Sequence, residues 1–567
     1  MRTIVLALGL LLGSATPATA QLNGMLEEVE PAPADTVLEN GRIYTPNGWA
    51  SALAISNGAI VAVGENATVA PHKRASTRVI DLHGATVLPG LHDMHVHPIG
   101  AGIDQFRCAI PHGATPQQVF AVTAACVAKS KPGEWVTGRA YEAASFGSTP
   151  PHRSMLDAVS PDNPVVFEDI SGHSSWANTA ALKVAGITRD TPNPPNGVIE
   201  RDARGEPTGI LRESAAGLVR RHVPPPSRER YLESLKWSLD LMGSYGITSF
   251  TDAGLSTPGA IAYATLADRG ELKQRVWGCM IFRETDLIAQ RMFYARDRFS
   301  PTCVKVFLDG VPTDGHTAAL LEDYEPSAHG DDHQGREKGI LMIPQDELNV
   351  MVTRFDAMGL TVKFHAAGDA AVRAGLNAIE ATRNANGFSG YYHNVGHNSL
   401  VQPDDIKRAR SIEAAFEFSP YIWYPSPIIG DIRKAVGEER MKRWIPVREA
   451  LDAGALSVPG SDWSVVPSVN PWIAIETLVT RQVPGGTGEV LGAQERITLE
   501  EAIDMFTRAS ARQMNMDSAT GTIETGKLAD LVVIDRNIFE VPITTVHDTR
   551  VLRTFINGEE IYTAPRD

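Results

Sequence analysis

Apolar, strand-like runs alternate with helix-like stretches through the middle of this 567-residue chain. Eight such runs occur, at residues 86–88, 165–170, 247–252, 303–308, 360–365, 391–395, 412–418 and 456–459. Stretches with helical character separate most of them, such as residues 228–243, 345–358, 370–383 and 403–410. This alternation is typical of a parallel sheet, and eight strands match a (β/α)8 TIM barrel. We therefore predict an α/β fold with a barrel over residues 86–500. A doubly wound open sheet is the competing fold, because periodicity does not exclude it.

Both ends of the chain have a different character from the middle. Residues 35–64 contain short strand-like runs divided by Asn-Gly pairs, and the C-terminal end repeats this pattern around Asn557. Asn-Gly favours hairpins because both residues accept positive φ. We predict one small β-sandwich built from residues 21–85 and 501–567, the second part including a C-terminal helix. Residues 172–227, rich in Gly, Pro, Asn and Arg, are predicted to be an insertion over the site.

The first twenty residues predict a secretory signal peptide. Met1 and Arg2 give a positive start, residues 4–12 are apolar, and residues 18–20 (Ala-Thr-Ala) have the small-x-small form of a cleavage site. An uncleaved anchor or a buried N-terminal helix is the alternative interpretation. We expect a periplasmic or secreted protein that has no membrane contact after cleavage near Gln21.

Composition excludes several classes of protein. With a formal net charge of −15, the chain lacks the basic balance that a nucleic-acid-binding protein needs. The hydrophobic fraction of 43% is that of an ordinary globular protein. Four cysteines in so long a chain do not predict a disulfide scaffold, and none is in a CxxC pair. One incidental disulfide remains open, and the sequence does not pair the cysteines.

Residue types that bind metal ions occur where five of the predicted strands end. The alternation of a strand puts two histidines at i and i+2 on one face, and imidazole suits zinc. The complete set is His95, His97, Lys305, His365, His397 and Asp462. Each alone is more often a satisfied polar residue, and Lys305 could simply pair with Asp309. Active sites of barrels lie at the C-terminal ends of the strands, so the convergence predicts a functional site there.

Two assignments within this set stay open. His393 shares a strand face with His397, and Lys363 shares one with His365. We prefer His397 because it lies nearer the C-terminal end of its strand. We prefer Lys305 because it precedes Asp309.

Several longer motifs accompany these residues. They are VLPGLHDMHVH at 87–97, Gly172-His173 before WANTAAL at 176–182, EPTG at 206–209, Lys305 before Asp309-Gly310, HAAGD at 365–369, GSDW at 460–463 and GKLADL at 526–531. Together they resemble the amidohydrolase superfamily, specifically the YtcJ-like or amidohydrolase-3 branch that includes N-substituted formamide deformylases. The resemblance runs from about residue 36 to 563. Gly396 departs from it, because many relatives have a glutamate there.

The resemblance implies a centre of two divalent metal ions. His95 and His97 would bind one ion, which Asp462 also reaches, while His365 and His397 would bind the other. Lys305, carbamylated by CO2, would bridge both. The ligands suit Zn²⁺ but would accept manganese, cobalt or iron.

Two catalytic roles follow from the same resemblance. Asp462 would act as the general base and later protonate the leaving nitrogen. His173 is the candidate donor to the tetrahedral oxyanion, with loop packing as the alternative.

The expected function is hydrolysis of a C–N bond in a small-molecule amide, formamide or cyclic amide. Hydrolysis of an ester, lactone or carbamate by the same water is the alternative among enzymes. A non-catalytic secreted binding protein on a degenerate barrel is the alternative outside them, and a single-metal enzyme with an unmodified Lys305 is a third. We expect a homo-oligomer from the prevalence of such assemblies.

Overall fold

The computed structural model describes residues 31–565 except 112, 148, 170–173, 195–196, 313–315, 327–336 and 423–426. Eight parallel strands form its central sheet, and we number them barrel strands 1 to 8 in chain order. They are Leu91–Val96, Ile247–Leu255, Arg275–Ile281, Phe299–Phe307, Thr361–Ala366, His393–His397, Ala414–Phe418 and Leu456–Pro459. Each strand pairs with the next along the chain. The His97 amide donates to the Trp463 carbonyl at 2.6 Å just beyond strands 1 and 8, which brings the two edges together. The predicted (β/α)8 barrel is confirmed.

Helices cover the outside of the barrel and connect its strands. In the described part of the chain, the α-helices of five residues or more, some of which lie in the segment between barrel strands 1 and 2, are Pro98–Gln105, Pro116–Val127, Arg153–Asp157, Thr179–Val184, Ala216–Arg220, Arg228–Ser244, Thr257–Asp268, Thr285–Gln290, Gln345–Ala357, Asp369–Asn386, Pro403–Ala409, Pro427–Val436, Val447–Asp452, Pro471–Thr480 and Leu499–Asp504. The four helices predicted from the sequence are among them. Local sequence sets their ends: Ser227 accepts a hydrogen bond from the Arg230 amide at one helix start, and Gly387 ends another with φ of 76°.

Strands from both ends of the chain form a β-sandwich, as predicted. One sheet contains Ala59–Gly64, Ala52–Ser56, Thr36–Glu39 and Arg78–Asp81. The other contains Glu559–Thr563, Val551–Ile556, Leu531–Ile534, Thr86–Pro89, Arg42–Thr45 and Gly48–Ala50. The two sheets share a buried apolar core that includes Leu38, Leu53, Val87, Leu531 and Phe555. Burial of these side chains from both termini holds the ends of the chain together.

Two of the eight predicted barrel strands were wrong. Residues 86–88 belong to the sandwich, where Val87 pairs with Val533, and the barrel strand begins after Gly90 at Leu91. Gly90 marks this passage because a Cβ there would lie 2.4 Å from the side chain of Thr248. The strand Val165–Asp169, which falls in the predicted run 165–170, belongs to a separate sheet, and the missing barrel strand is Arg275–Ile281.

That separate sheet is an inserted unit after barrel strand 1. Its six strands are Gly197–Arg201, Pro207–Glu213, Ser174–Ala177, Val165–Asp169, Val136–Tyr141 and Cys108–Ala109, in sheet order. The inserted sheet therefore spans residues 108–213 and begins well before the predicted insertion of 172–227. It has its own core around Phe167 and Trp176, which are both fully buried.

All four cysteines are paired in two disulfides, whereas the sequence left one incidental disulfide open. Cys108 bonds Cys126 within the inserted unit, and Cys279 bonds Cys303 between barrel strands 3 and 4. Each pair joins residues that only the fold brings together. Among the described residues, no helix combines the length and the apolar character needed to cross a membrane.

Candidate metal centre

The structure brings all six predicted ligand residues together at the C-terminal ends of the barrel strands. Connecting contacts run through the whole set: His95 Nε2 lies 3.1 Å from Lys305 Nζ and 3.6 Å from Asp462 Oδ1, and His397 Nδ1 lies 3.9 Å from Asp462 Oδ2. The rings of His365 and His397 are 4.4 Å apart between centroids. One compact group of nitrogen and oxygen atoms results, contributed by barrel strands 1, 4, 5 and 6 and the loop after strand 8.

His95, His97 and Asp462 form the tightest part of this group. The Nε2 atoms of the two histidines lie 3.6 and 3.3 Å from the same oxygen, Asp462 Oδ1. Two atoms that share a tetrahedral metal ion at bonds of about 2.1 Å lie roughly 3.4 Å apart. The spacing of these atoms therefore fits a zinc-sized ion between them.

Backbone geometry aims two of these side chains inward. His397 and Asp462 have φ values of 72° and 59°, in the left-handed region that residues other than glycine rarely adopt. The next residue, Asn398, stabilises the first of these turns by donating to the carbonyls of Val395 and Glu417 at 2.6 and 2.9 Å. Unusual backbone conformation held by its surroundings is a common feature of functional sites.

The buried histidines are neutral at physiological pH. Burial, with the nearby cation of Lys305 as a further cause, lowers the pKa of His95 well below its ordinary value and that of His365 to about 4. Burial likewise lowers the pKa of His397. A neutral imidazole offers the lone pair that a metal ligand needs.

Lys305 is almost completely buried and is surrounded by these imidazoles. Its exposed fraction is 1%, and burial followed by repulsion from Lys363 lowers its pKa to about 7. A substantial fraction of this lysine is therefore the free amine at neutral pH. The free amine is the form that can react with CO2.

Glu417 is a site residue that the sequence analysis missed. It lies on barrel strand 7, is fully buried, and accepts hydrogen bonds from His95 Nδ1 at 2.5 Å and Lys363 Nζ at 2.9 Å. Its second oxygen accepts from Ser419 Oγ at 3.2 Å. A charged residue inside the apolar run AAFEF was the available signal, of the same kind that drew attention to Lys305.

Two buried aspartates hold the loops around the centre. Asp93 accepts from the amides of His95 and Ser461 at 3.1 and 3.0 Å, and burial raises its pKa to about 6. Asp309 accepts from three amides of the loops after barrel strands 4 and 5, and burial raises its pKa to about 7. Asp309 therefore holds the backbone of these two loops together and does not pair with Lys305. His365 is oriented by donating from Nε2 to the Gly310 carbonyl at 2.9 Å.

Neither of the two alternative residues, His393 and Lys363, lies where it would be a ligand in this centre. His393 accepts from the Val362 amide at 3.0 Å and donates to Asp356 at 3.1 Å, near the N-terminal ends of the strands. Lys363 is bonded to Asn394 and Glu417, both at 2.9 Å. His173 lies outside the described residues.

Comparison with known proteins gives a consistent result. The amidohydrolase family model (Amidohydro_3) matches residues 78–562. YtcJ of Bacillus subtilis (strain 168) is 29% identical over 86% of this chain and 90% of its own length. An N-substituted formamide deformylase of Arthrobacter pascens is 28% identical over 92% of this chain and 97% of its own length.

A solved structure shares the fold. It is that of an uncharacterized metal-dependent hydrolase from Pyrococcus furiosus, with a TM-score of 0.71, 24% identity, and coverage of 88% of this chain and 99% of that one. The match of the family model over most of the chain shows that this protein belongs to the amidohydrolase family of metal-dependent hydrolases.

Proposed function

We propose that the chain hydrolyses a C–N bond in a small-molecule amide, formamide or cyclic amide. The observation that carries this proposal is the convergence of four histidines, one buried lysine and one aspartate at the C-terminal face of a barrel. Catalytic residues occupy this face in characterised enzymes of the fold. The deformylase relative supports a C–N bond as the target.

We propose that the site holds two divalent ions, with zinc as the best match. His95 and His97 would hold one ion with Asp462, and His365 and His397 would hold the other. When bound, the ions would polarise the substrate carbonyl and make water a stronger acid. Imidazole and carboxylate ligands at tetrahedral spacing suit zinc, whereas calcium and magnesium prefer sites made of oxygen alone.

Lys305 is proposed to carry the bridging group between the two positions. Its neutral amine would attack CO2, forming a C–N bond and releasing one proton, so that a buried cation becomes an anionic carbamate. This change removes the cost of an unpaired buried ammonium. It also supplies two oxygen atoms to a site that otherwise has few.

Asp462 is proposed to move the proton during hydrolysis. Its carboxylate contacts His95, His97 and His397, so it lies at the middle of the group. From there it would take a proton from the attacking water and return it to the leaving nitrogen. His173 stays our candidate for stabilising the oxyanion.

A periplasmic or secreted location is part of the proposal. Residues 1–20 have the layout of a signal peptide, and the two disulfides suit an oxidising compartment. Amide substrates in that compartment would reach the barrel directly from solution.

The test is a panel of matched substrates that share one acyl group and differ in the leaving atom. Formamides, other amides, cyclic amides and the corresponding esters are compared with the wild type and with Asp462→Asn. The proposal expects amide hydrolysis that the variant loses by about 100-fold or more, within the range for acid–base groups. Faster cleavage of every ester than of every amide would favour the esterase or lactonase alternative, and no hydrolysis by the metal-loaded wild type would favour a binding protein.

A further inference from the structure

A single buried carboxylate, that of Glu417, contacts His95 directly and is linked to His397 through the hydroxyl group of Ser419. Glu417 Oε2 accepts from His95 Nδ1 at 2.5 Å, and Glu417 Oε1 accepts from Ser419 Oγ at 3.2 Å. Ser419 Oγ also lies 3.1 Å from His397 Nδ1. Because the Ser419 hydroxyl proton is given to Glu417, the hydroxyl oxygen is left to accept from His397 Nδ1. Glu417 therefore determines which atom donates in two hydrogen bonds: Ser419 Oγ donates to Glu417, and His397 Nδ1 donates to Ser419 Oγ.

We propose that Glu417 is a positioning residue that fixes the tautomers of His95 and His397. With the proton on Nδ1 in each ring, the lone pair that can bind metal is on Nε2. This rests on the proposed metal centre. A ring nitrogen that donates to a carboxylate is oriented and is made a more basic ligand at its other nitrogen.

Glu417 is held in place by further contacts besides those to the two hydrogen-bonded groups. Oε2 accepts from both His95 Nδ1 and Lys363 Nζ, and the ammonium of Lys363, at 2.9 Å, balances the negative charge. The exposed fractions of the side chains of Lys363 and Glu417 are 2% and 0%.

The Glu417 carboxylate occupies space that is open because two neighbouring residues are glycines. A Cβ at Gly396 would lie 2.8 Å from Glu417 Oε2, and one at Gly460 would lie 2.6 Å from Glu417 Oε1. Side chains at these positions would push the carboxylate out of its place. The packing around Glu417 is therefore matched to its contact with the histidines.

Substitution by glutamine gives a specific expectation. Lys363 requires an acceptor, so the amide oxygen of Glu417→Gln would face Lys363 and His95, and its NH₂ group would face Ser419. Ser419 would then accept from the amide and donate to His397, which moves the His397 proton from Nδ1 to Nε2. Glu417→Gln should weaken the metal position of His397 and spare that of His95.

The experiment measures zinc binding by competition with a chelator, for the wild type, Glu417→Gln, Glu417→Ala, Ser419→Ala and Gly396→Ala. We expect one of two binding steps to weaken by about 10- to 100-fold in Glu417→Gln and Ser419→Ala, and both steps to weaken in Glu417→Ala and Gly396→Ala. Asp356→Asn is the matched control, because Asp356 is also a buried carboxylate that accepts from a barrel histidine, His393, at 3.1 Å. It should lose thermal stability and keep both zinc affinities.

Selective ¹⁵N labelling of histidine provides a second measurement on the metal-free protein. Ring-nitrogen shifts should show the Nδ1–H tautomer for both His95 and His397 in the wild type, and a change at His397 alone in Glu417→Gln. Unchanged zinc affinities and tautomers in all four variants would overturn the positioning role. A wild type that binds no zinc would defeat the proposed function, while the tautomer measurement would still decide this inference.

Discussion

Replacing Gly460 by alanine tests how closely the barrel is packed around His95. An added Cβ would lie 2.4 Å from His95 Cβ and 2.6 Å from Glu417 Oε1. Carbon atoms pack at about 3.5–4.0 Å, so the new methyl group is more than 1 Å too close. Both neighbours are buried, at 1% and 0% exposure, and neither can turn out to solvent. His95 must therefore move, and with it the Nε2 atom that faces the centre.

The expected cost of this overpacking is about 1–3 kcal/mol. At roughly 2–4 °C per kcal/mol for a domain of barrel size, Tm should fall by about 2–12 °C. Displacement of His95 should also lower bound metal in the same variant. Differential scanning calorimetry and elemental analysis measure the two effects.

Gly100→Ala is the matched control for Gly460→Ala. Gly100 lies in the helix Pro98–Gln105, and its nearest neighbour to an added Cβ is Ser464 Oγ at 3.8 Å. Alanine within a helix is favoured over glycine by about 0.5–1 kcal/mol, so this variant should match or exceed the wild-type Tm. The reasoning is refuted if Gly460→Ala keeps the Tm and metal content of the wild type, or if both variants lose stability equally.

Further changes test separate parts of the structure. His397→Asn should lose bound metal, whereas His393→Asn should lower Tm and keep its metal, because His393 bonds Asp356 away from the centre; equal metal content in the two would contradict this. Burial raises the pKa of Asp356, but hydrogen bonds from His393 and other side chains outweigh it and hold the pKa well below its ordinary value. The stabilisation by ionised Asp356 is therefore present above its unfolded pKa of about 3.9 and is lost as the pH falls toward its folded pKa. The difference in Tm between the wild type and Asp356→Asn should be constant from about pH 7 to 5. This difference should shrink below about pH 4. Removing the Cys279–Cys303 disulfide by double serine substitution should cost about 3 kcal/mol, since it closes a loop with a sequence separation of 24; an unchanged urea midpoint under non-reducing conditions would argue against that cost.

The sequence predicted the fold well where apolar periodicity was strong. The helix Arg228–Ser244 was predicted to within one residue at its end and Asp369–Asn386 to within three, because long segments with a helical pattern are the clearest signal in a sequence. Residues 86–88 and Leu91–Val96 are both apolar and are divided only by Gly90, so the sequence did not show which belonged to the barrel. That choice depends on pairing with residues 531–534, more than 400 positions away.

Barrel strand 3 was missed for a similar reason. It begins at Arg275, a residue type that rarely occurs inside a barrel. The structure shows why it is tolerated: its guanidinium bonds Asp530 and Asn557, both in the C-terminal part of the sandwich. Only the folded chain brings these partners together.

The candidate site was predicted more completely than the strands that carry it. All six residues from His95 to Asp462 meet in space, because ligand-type residues at strand ends converge in any barrel. The sequence analysis missed Glu417 because the sequence does not show which residues a glutamate within a strand contacts. Its role depends on hydrogen bonds from Ser419, two residues further along the chain, and from His95 and Lys363, which come from two other barrel strands.

The most direct measurement is metal stoichiometry by elemental analysis of the mature protein, purified without chelator and in the presence of bicarbonate. We predict about two divalent ions per chain for the wild type and fewer for Lys305→Ala, because the bridging group between the two positions would be lost. A wild type that holds no metal after reconstitution with zinc and with manganese would contradict the metal-dependent hydrolase centre.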